Sequence, residues 1–190
     1  MKRIFLALTV VLLLLSCSQK VQPELPDDSV YHLNSEWEDQ DGSLIKLNDL
    51  KGDVVVMVMI YTSCKTACPR LTADMNTISQ KVNKAKSQNL KYVFVSIDPK
   101  EDTPEKMNTY LNAYGFTGDE WMFIRSSDNN TRELANVLAV KYKEISPLDF
   151  SHSNIISVFT KDGHLAYQKE GFNTDIDGTV AQIKKQLKAN

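Results

Sequence analysis

The sequence predicts an α/β domain built on a mixed β-sheet that helices flank. Apolar runs of strand length alternate with segments whose apolar residues recur at helical spacing. Hairpin signals stand near both ends of the chain, at Asp41-Gly42 and at Lys161-Asp162-Gly163. Parallel strands need crossover helices, whereas hairpins join antiparallel strands. The combined pattern therefore predicts a central sheet with both kinds of pairing.

The first elements follow from local signals. An N-terminal β-hairpin is predicted over residues 35–47, with its turn at Asp41-Gly42. The run 54–61 is predicted to be a fully buried strand, because it is continuously apolar, rich in β-branched residues and preceded by a turn signal. The segment after it is predicted to be a helix reaching about Ser87, with apolar residues at helical spacing: Leu71, Met75, Ile78 and Val82.

The second half of the chain continues the alternation. A buried strand is predicted over 90–97, and Thr103-Pro104 predicts the start of a helix. A short strand at 121–124 precedes a helix that Asn130 is expected to cap. The rest is predicted to be a strand at 154–159, its hairpin partner at 165–169 and a terminal helix from about 176. This order of elements is that of a thioredoxin-like fold.

The N-terminus predicts export and lipid attachment. Residues 1–16 combine Lys2 and Arg3 with an apolar stretch too short to span a bilayer, as in a signal peptide. The following Leu14-Leu15-Ser16-Cys17 is similar to a bacterial lipobox, so Cys17 is expected to carry the lipid. Residues 17–30 are then a lipidated tether, and 31–190 the domain. The domain is expected in the cell envelope, facing the periplasm or extracytoplasmic space. An ordinary secretory signal that leaves a free thiol is the alternative.

The net charge limits the possible classes of binding partner, and the cysteine count limits the roles of the three cysteines. Removing the signal peptide would change the formal net charge from −2 to about −4. No basic patch of the kind that nucleic acids require is present, so no nucleic-acid partner is expected. Three cysteines are an odd number for an exported protein. If Cys17 carries the lipid, the folded domain keeps only Cys64 and Cys68.

These two cysteines occupy the point where the buried strand leads into a helix. The N-terminal end of a helix favours a thiolate over a thiol. Side chains at i and i+4 share a helical face, so both sulfurs could reach one metal ion, or each other. The simpler alternatives are two buried core cysteines, or a structural disulfide that would close almost no loop. Functional sites gather at the carboxyl ends of strands in open α/β sheets, where Asp98 also lies.

Three segments follow one another in the order of a known family: the motif Tyr61-Thr62-Ser63-Cys64-Lys65-Thr66-Ala67-Cys68-Pro69, the segment 95–104, and His152-Ser153 with the strand and turn after it. They resemble the cysteine motif, the strand-to-loop segment and the histidine segment of the SCO/SenC family, the copper proteins needed to assemble cytochrome c oxidase. The resemblance covers about residues 35–188.

The resemblance implies a copper site made by Cys64, Cys68 and His152, with one Cu(I) or Cu(II) ion per domain. Thiolates favour Cu(I), and an added imidazole also tolerates Cu(II). An open three-ligand site suits a chaperone that must release its metal. Asp98 and Asp102 could orient the ligands or contact a partner. The implied partner is the copper-receiving subunit of cytochrome c oxidase, or another exported copper protein.

The chain departs from the family pattern at two places. It has Lys65-Thr66 where the family usually has Pro-Asp between the cysteines, and Ser151 where the family usually has Asp before the histidine. The first change brings a cation close to the thiolates, and the second removes an acidic neighbour of the imidazole. Both bear on copper affinity and redox potential rather than on the ligand set.

Other functions remain open. A membrane-anchored thiol–disulfide oxidoreductase could use Cys64 and Cys68 as a redox pair without metal, so whether the protein is an enzyme is undecided. The three-residue spacer and the histidine segment favour copper over this reading. A peroxiredoxin is disfavoured, because its active-site motif would require Pro at position 57 and Thr or Ser at position 61. This sequence has Met57 and Tyr61 there. A non-catalytic assembly factor, in which copper only reports redox state, is a third class.

Overall fold

The computed structural model describes residues 25–82, 89–146, 149–173 and 175–189. The predicted signal peptide, Cys17 and most of the tether lie outside these ranges, as does the predicted end of the first helix at 83–88. The strands are β1 Glu36–Asp39, β2 Leu44–Lys46, β3 Val54–Ile60, β4 Leu90–Ser96, β5 Trp121–Arg125, β6 Tyr142–Ser146, β7 Asp149–His152, β8 Ile155–Phe159 and β9 Leu165–Glu170. The helices are α1 Ala67–Val82, α2 Pro104–Ala113, α3 Asp128–Val137 and α4 Ile176–Lys188.

Seven strands form one mixed sheet in the order β2-β1-β5-β4-β3-β8-β9. The three central strands β5, β4 and β3 are parallel, whereas the strands on either side pair antiparallel. All seven residues of β3 are buried, which explains why its sequence is apolar without alternation. The predicted thioredoxin-like α/β fold, with a central mixed sheet flanked by helices and an N-terminal hairpin, is confirmed.

The helices pack on the sheet and on one another. Helix α1 contacts α4, and the Thr72 hydroxyl on α1 lies 2.6 Å from the Tyr110 hydroxyl on α2. As predicted, Thr103 caps α2 and accepts a hydrogen bond from the Lys106 N–H. Within the described ranges, no helix is long and apolar enough to cross a membrane.

Two local predictions differ from the structure. The N-cap of α3 is Ser127, whose hydroxyl accepts a hydrogen bond from the Asn130 N–H, so the expectation that Asn130 caps this helix is wrong. The strands β6 and β7 were not predicted; they form a separate two-stranded antiparallel sheet. His152 is the last residue of β7.

The sheet topology sends two functional segments to one end of the molecule. Strand β3 leads directly into the cysteine loop, and β8, which pairs antiparallel with β3, begins just after His152. The carboxyl end of β3 and the start of β8 therefore meet at the same end of the sheet. The turn between β8 and β9 lies at the other end, where Lys161 accepts a hydrogen bond from the Gly52 N–H through its carbonyl oxygen.

Candidate metal centre

The two cysteines lie on different structural elements. Cys64 belongs to the turn between β3 and α1, and Cys68 is the second residue of α1. The Cys68 N–H donates to the Cys64 sulfur at 3.3 Å, so this sulfur serves as a cap for an unpaired N–H of the first helical turn. The prediction that both cysteines lie on one face of a helix is wrong, because Cys64 precedes the helix. The two sulfurs are nevertheless close to each other.

His152 approaches the cysteines from β7. Its Nδ1 lies 3.0 Å from the Ser153 carbonyl oxygen, and its Nε2 lies 3.5 Å from the Cys68 sulfur. Because a carbonyl oxygen can only accept, Nδ1 donates the hydrogen bond and carries the proton. The lone pair of Nε2 is then directed at the cysteines. A hydrogen bond of this kind from the far ring nitrogen orients many metal-binding histidines.

The three predicted ligands form one compact group. The sulfurs of Cys64 and Cys68 and a ring nitrogen of His152 all lie within 4.8 Å of one another. Both cysteines are free, Cys64 with 7% of its surface exposed and Cys68 with none. Among the described residues this is the group suited to hold a metal ion, and neither His32 nor His164 belongs to it. Thiolate sulfurs select Cu(I) and zinc, and imidazole binds both copper and zinc, so this donor set is suited to a soft transition-metal ion such as copper.

The thiols differ in acidity. The pKa of Cys64 is lowered to about 4, because its thiolate accepts a hydrogen bond from the Cys68 thiol and others from the Cys68 and Thr66 N–H groups. The pKa of Cys68 is raised, because this thiol is buried and donates to the Cys64 sulfur. The pair therefore holds one negative charge on Cys64 and one proton on Cys68 near neutral pH.

The two predicted aspartates lie beside the cluster and not in it. Asp102 is fully buried and accepts hydrogen bonds from the Thr62 N–H at 3.1 Å, the Thr62 hydroxyl at 2.5 Å and the Ser96 hydroxyl at 2.6 Å. It thereby ties the cysteine loop to the end of β4. Asp98 is nearly buried, and its backbone closes the turn that leads to Asp102. Burial raises the pKa of both carboxyl groups.

Two residues at the site were not predicted to have a role there. The Tyr61 hydroxyl donates to the Asp149 carboxylate at 2.7 Å, which joins the end of β3 to the start of β7. Tyr61 stands in the cysteine motif, but its sequence position is typical of the end of a buried strand.

The residues that depart from the family pattern lie at the surface. Lys65, Thr66 and Ser151 all have exposed side chains.

The sequence profile of the SCO1/SenC family matches residues 28–188. The SCO1 protein homolog of Bacillus subtilis is 27% identical over 152 residues, which are 78% of this chain and 78% of that protein.

Solved structures agree on the fold. BsSco, described as a member of the Sco family of cytochrome c oxidase assembly proteins with a disulfide switch, is 25% identical with a TM-score of 0.71; the match covers 82% of this chain and 92% of that one. Copper-bound ScoI of Bradyrhizobium japonicum is 20% identical with a TM-score of 0.68, over 80% of this chain and 96% of that one. Since the family profile spans most of the chain, including both cysteines and His152, this protein belongs to the SCO1/SenC family.

Proposed function

We propose that this protein is a copper chaperone that binds one copper ion through Cys64, Cys68 and His152 and passes it to an exported copper protein. The observation that carries the proposal is the convergence of two sulfurs and a ring nitrogen within 4.8 Å, from a loop, a helix and a separate hairpin. The bound copper is cargo, and the residues supply a site from which it can leave.

The arrangement fits copper by its chemistry. The Cys64 thiolate is ready to bind at neutral pH, and metal binding would displace only the proton of Cys68. The lone pair of His152 Nε2 is directed at the same point. Three protein ligands leave one side of the ion open, which favours exchange with ligands of a recipient over permanent retention.

The recipient that we propose is the copper-receiving subunit of cytochrome c oxidase. The family membership and the likeness to BsSco, which is described as belonging to a family of oxidase assembly proteins, support this choice. The copper bound to the ScoI neighbour supports copper as the metal. An alternative recipient is another exported copper protein with a site of similar ligands.

The test measures copper in the purified, reduced protein. Wild type should bind one equivalent of Cu(I), and Cys64→Ala/Cys68→Ala should bind none tightly. His164→Ala is the matched control, since His164 pairs with Asp28 away from the cluster. Unchanged copper stoichiometry in the double cysteine variant would refute the proposal.

A thiol–disulfide oxidoreductase is the second candidate, favoured by the unequal acidity of the two thiols. The Cys64 thiolate would attack a substrate disulfide and release one substrate thiolate, and Cys68 would then attack the mixed disulfide and release the other. The metal-free protein would end with a Cys64–Cys68 disulfide and a reduced substrate. Rapid reduction of a disulfide peptide by metal-free wild type, lost in Cys64→Ser, would support this activity.

We also propose that Cys17 anchors the protein and that the site faces away from the membrane. The end of the tether is held on the β8–β9 turn, where the Val30 N–H donates to the Gly163 carbonyl at 3.0 Å. This turn lies at the opposite end of β3 from the cysteines, about 20 Å away at strand geometry. Cys17→Ser should release the protein from membranes, and an unmodified Cys17 thiol in the mature protein would contradict the anchor.

A further inference from the structure

The hairpin that carries His152 is not part of the central sheet. Strands β6 and β7 pair only with each other in the described structure, and side chains 143–146 face solvent. A two-stranded ribbon of this kind is marginally stable by itself. The position of the imidazole relative to the cysteines therefore depends on the short connection from β7 to β8 and on side-chain contacts between the hairpin and the rest of the fold.

Tyr61 makes such contacts from the end of β3. It has only 1% of its surface exposed, and its hydroxyl donates to Asp149 at 2.7 Å and accepts from the Phe150 N–H at 3.2 Å. Its ring packs edge-on against Phe150 and His152, with centroids 5.1 Å and 6.1 Å away. One side chain thus contacts three of the four residues of β7.

The same residue is also joined to the cysteine loop. Tyr61 lies three positions before Cys64, and its carbonyl oxygen accepts the Cys64 N–H at 3.3 Å. Tyr61 is therefore the point at which the cysteine loop and the histidine hairpin are joined.

We infer that Tyr61 is a positioning residue, whose hydroxyl holds the β6–β7 hairpin so that the His152 imidazole faces the cysteine pair. As far as it concerns copper, this inference rests on the proposed function. Without the hydroxyl, Asp149 and the Phe150 N–H lose their partner, and the hairpin is free to move away from the cysteines. The imidazole contributes more to Cu(II) binding than to Cu(I), which the sulfurs bind well by themselves.

The test compares Tyr61→Phe with Tyr31→Phe in the full chain. Both variants remove one buried tyrosine hydroxyl and keep the ring; the Tyr31 hydroxyl donates to the Leu50 carbonyl at 3.1 Å, far from the cluster. Tyr61→Phe should weaken Cu(II) binding about tenfold, or about 1.4 kcal/mol. It should change Cu(I) affinity much less and shift the Cu(II) absorption and paramagnetic resonance spectra. Tyr31→Phe should leave all four readouts as in wild type.

A metal-free measurement separates this inference from the copper proposal. In the reduced apoprotein, Tyr61→Phe should speed amide hydrogen exchange at Phe150, and Tyr31→Phe should not. Asp149→Ala should reproduce the faster exchange, whereas Asp149→Asn, which keeps an acceptor oxygen, should restore protection. If wild type binds no copper, the proposed function fails, and the exchange data still decide the role of Tyr61. Exchange at Phe150 that is equal in Tyr61→Phe and Tyr31→Phe would overturn the inference.

Discussion

The His152 imidazole lies 3.5 Å from the Cys68 sulfur, although 84 positions of sequence separate the two residues. The contact joins the first turn of α1 to the end of β7, two elements that belong to different parts of the fold. It brings a nitrogen donor to a pair of sulfurs.

Replacing His152 should separate the two oxidation states of copper. His152→Ala should lower Cu(II) affinity by about tenfold to a hundredfold, or about 1.4–2.8 kcal/mol, while Cu(I) stays bound to the sulfurs. Competition titrations with chelators of known affinity measure both values, and His32→Ala is the control because His32 bonds to Pro26 outside the cluster. Equal losses for Cu(I) and Cu(II) would argue against an imidazole ligand.

Cys64 should react as a thiolate at pH values far below those at which an ordinary cysteine loses its proton. Since its pKa is lowered to about 4, its alkylation rate should stay nearly constant from pH 8 down to about pH 5 and fall below that. Cys68, whose pKa is raised by burial, should stay unmodified. Mass spectrometry after timed alkylation of the reduced, metal-free protein follows each site. A Cys64 rate that falls about tenfold per pH unit below pH 8 would indicate an ordinary thiol.

Copper and a Cys64–Cys68 disulfide should exclude each other. The sulfurs already lie within 4.8 Å, and a bond of about 2.05 Å needs only a local shift of the loop. Bonded sulfurs have no thiolate for a metal, so mild oxidation should release copper, and reduction should restore binding. Copper content and free thiols measured on the same samples check this. Copper that stays bound after both thiols have been oxidised would rule out the competition.

Asp102 should matter for stability as well as for the site. Asp102→Ala leaves the Thr62 N–H and two hydroxyl groups without their acceptor, at a cost of about 2–4 kcal/mol in the free energy of unfolding. Asp98→Ala, four positions earlier at the start of the same turn, should cost less. Urea denaturation gives both values. Equal costs would mean that the hydrogen bonds of Asp102 do not hold the cysteine loop.

The Asp102 carboxyl group should also make the free energy of unfolding depend on pH. Because burial raises the pKa of Asp102 above its ordinary 3.8, folding favours the protonated form. Its contribution to stability is fully present below pH 3.8 and is lost as the pH rises through the folded pKa. Asp102→Asn cannot titrate, so wild type should lose stability relative to this variant between acid and neutral pH. A difference independent of pH would contradict the raised pKa.

Gly163→Ala should detach the N-terminal segment without affecting the metal centre. Gly163 has a φ of +82°, and an added Cβ would lie 2.5 Å from the Ser29 hydroxyl and 2.6 Å from the Tyr31 ring. Gly42→Ala is the matched control, since Gly42 has a φ of +79° and open space around it. The control should cost about 1–2 kcal/mol from backbone strain, and Gly163→Ala about 1–3 kcal/mol more from the clash. Copper affinity should remain unchanged in both.

Local sequence signals predicted much of the fold. They failed where several neighbouring residues could equally well begin the same element. Asp41-Gly42 and Thr103-Pro104 determine their turn and helix start through their own backbone preferences. Positions 126–130 read Ser-Ser-Asp-Asn-Asn, and every one of these residue types can cap a helix. The start of α3 at Asp128 is therefore set by packing, since Thr131, Leu134 and Ala135 are the residues of this helix that enter the core.

The sequence by itself determined the fold class, the cysteine loop at the end of a buried strand and, through its resemblance to a family, the three candidate ligands. Only the tertiary structure decided how these meet. The hairpin β6–β7 was missed because positions 147–148 read Pro-Leu, without the Gly or Asn of a tight hairpin turn. The join between Tyr61 and Asp149 spans 88 positions. Such contacts form because the sheet topology brings the ends of distant strands together. The spacing of residues within one segment does not show which strand ends will meet.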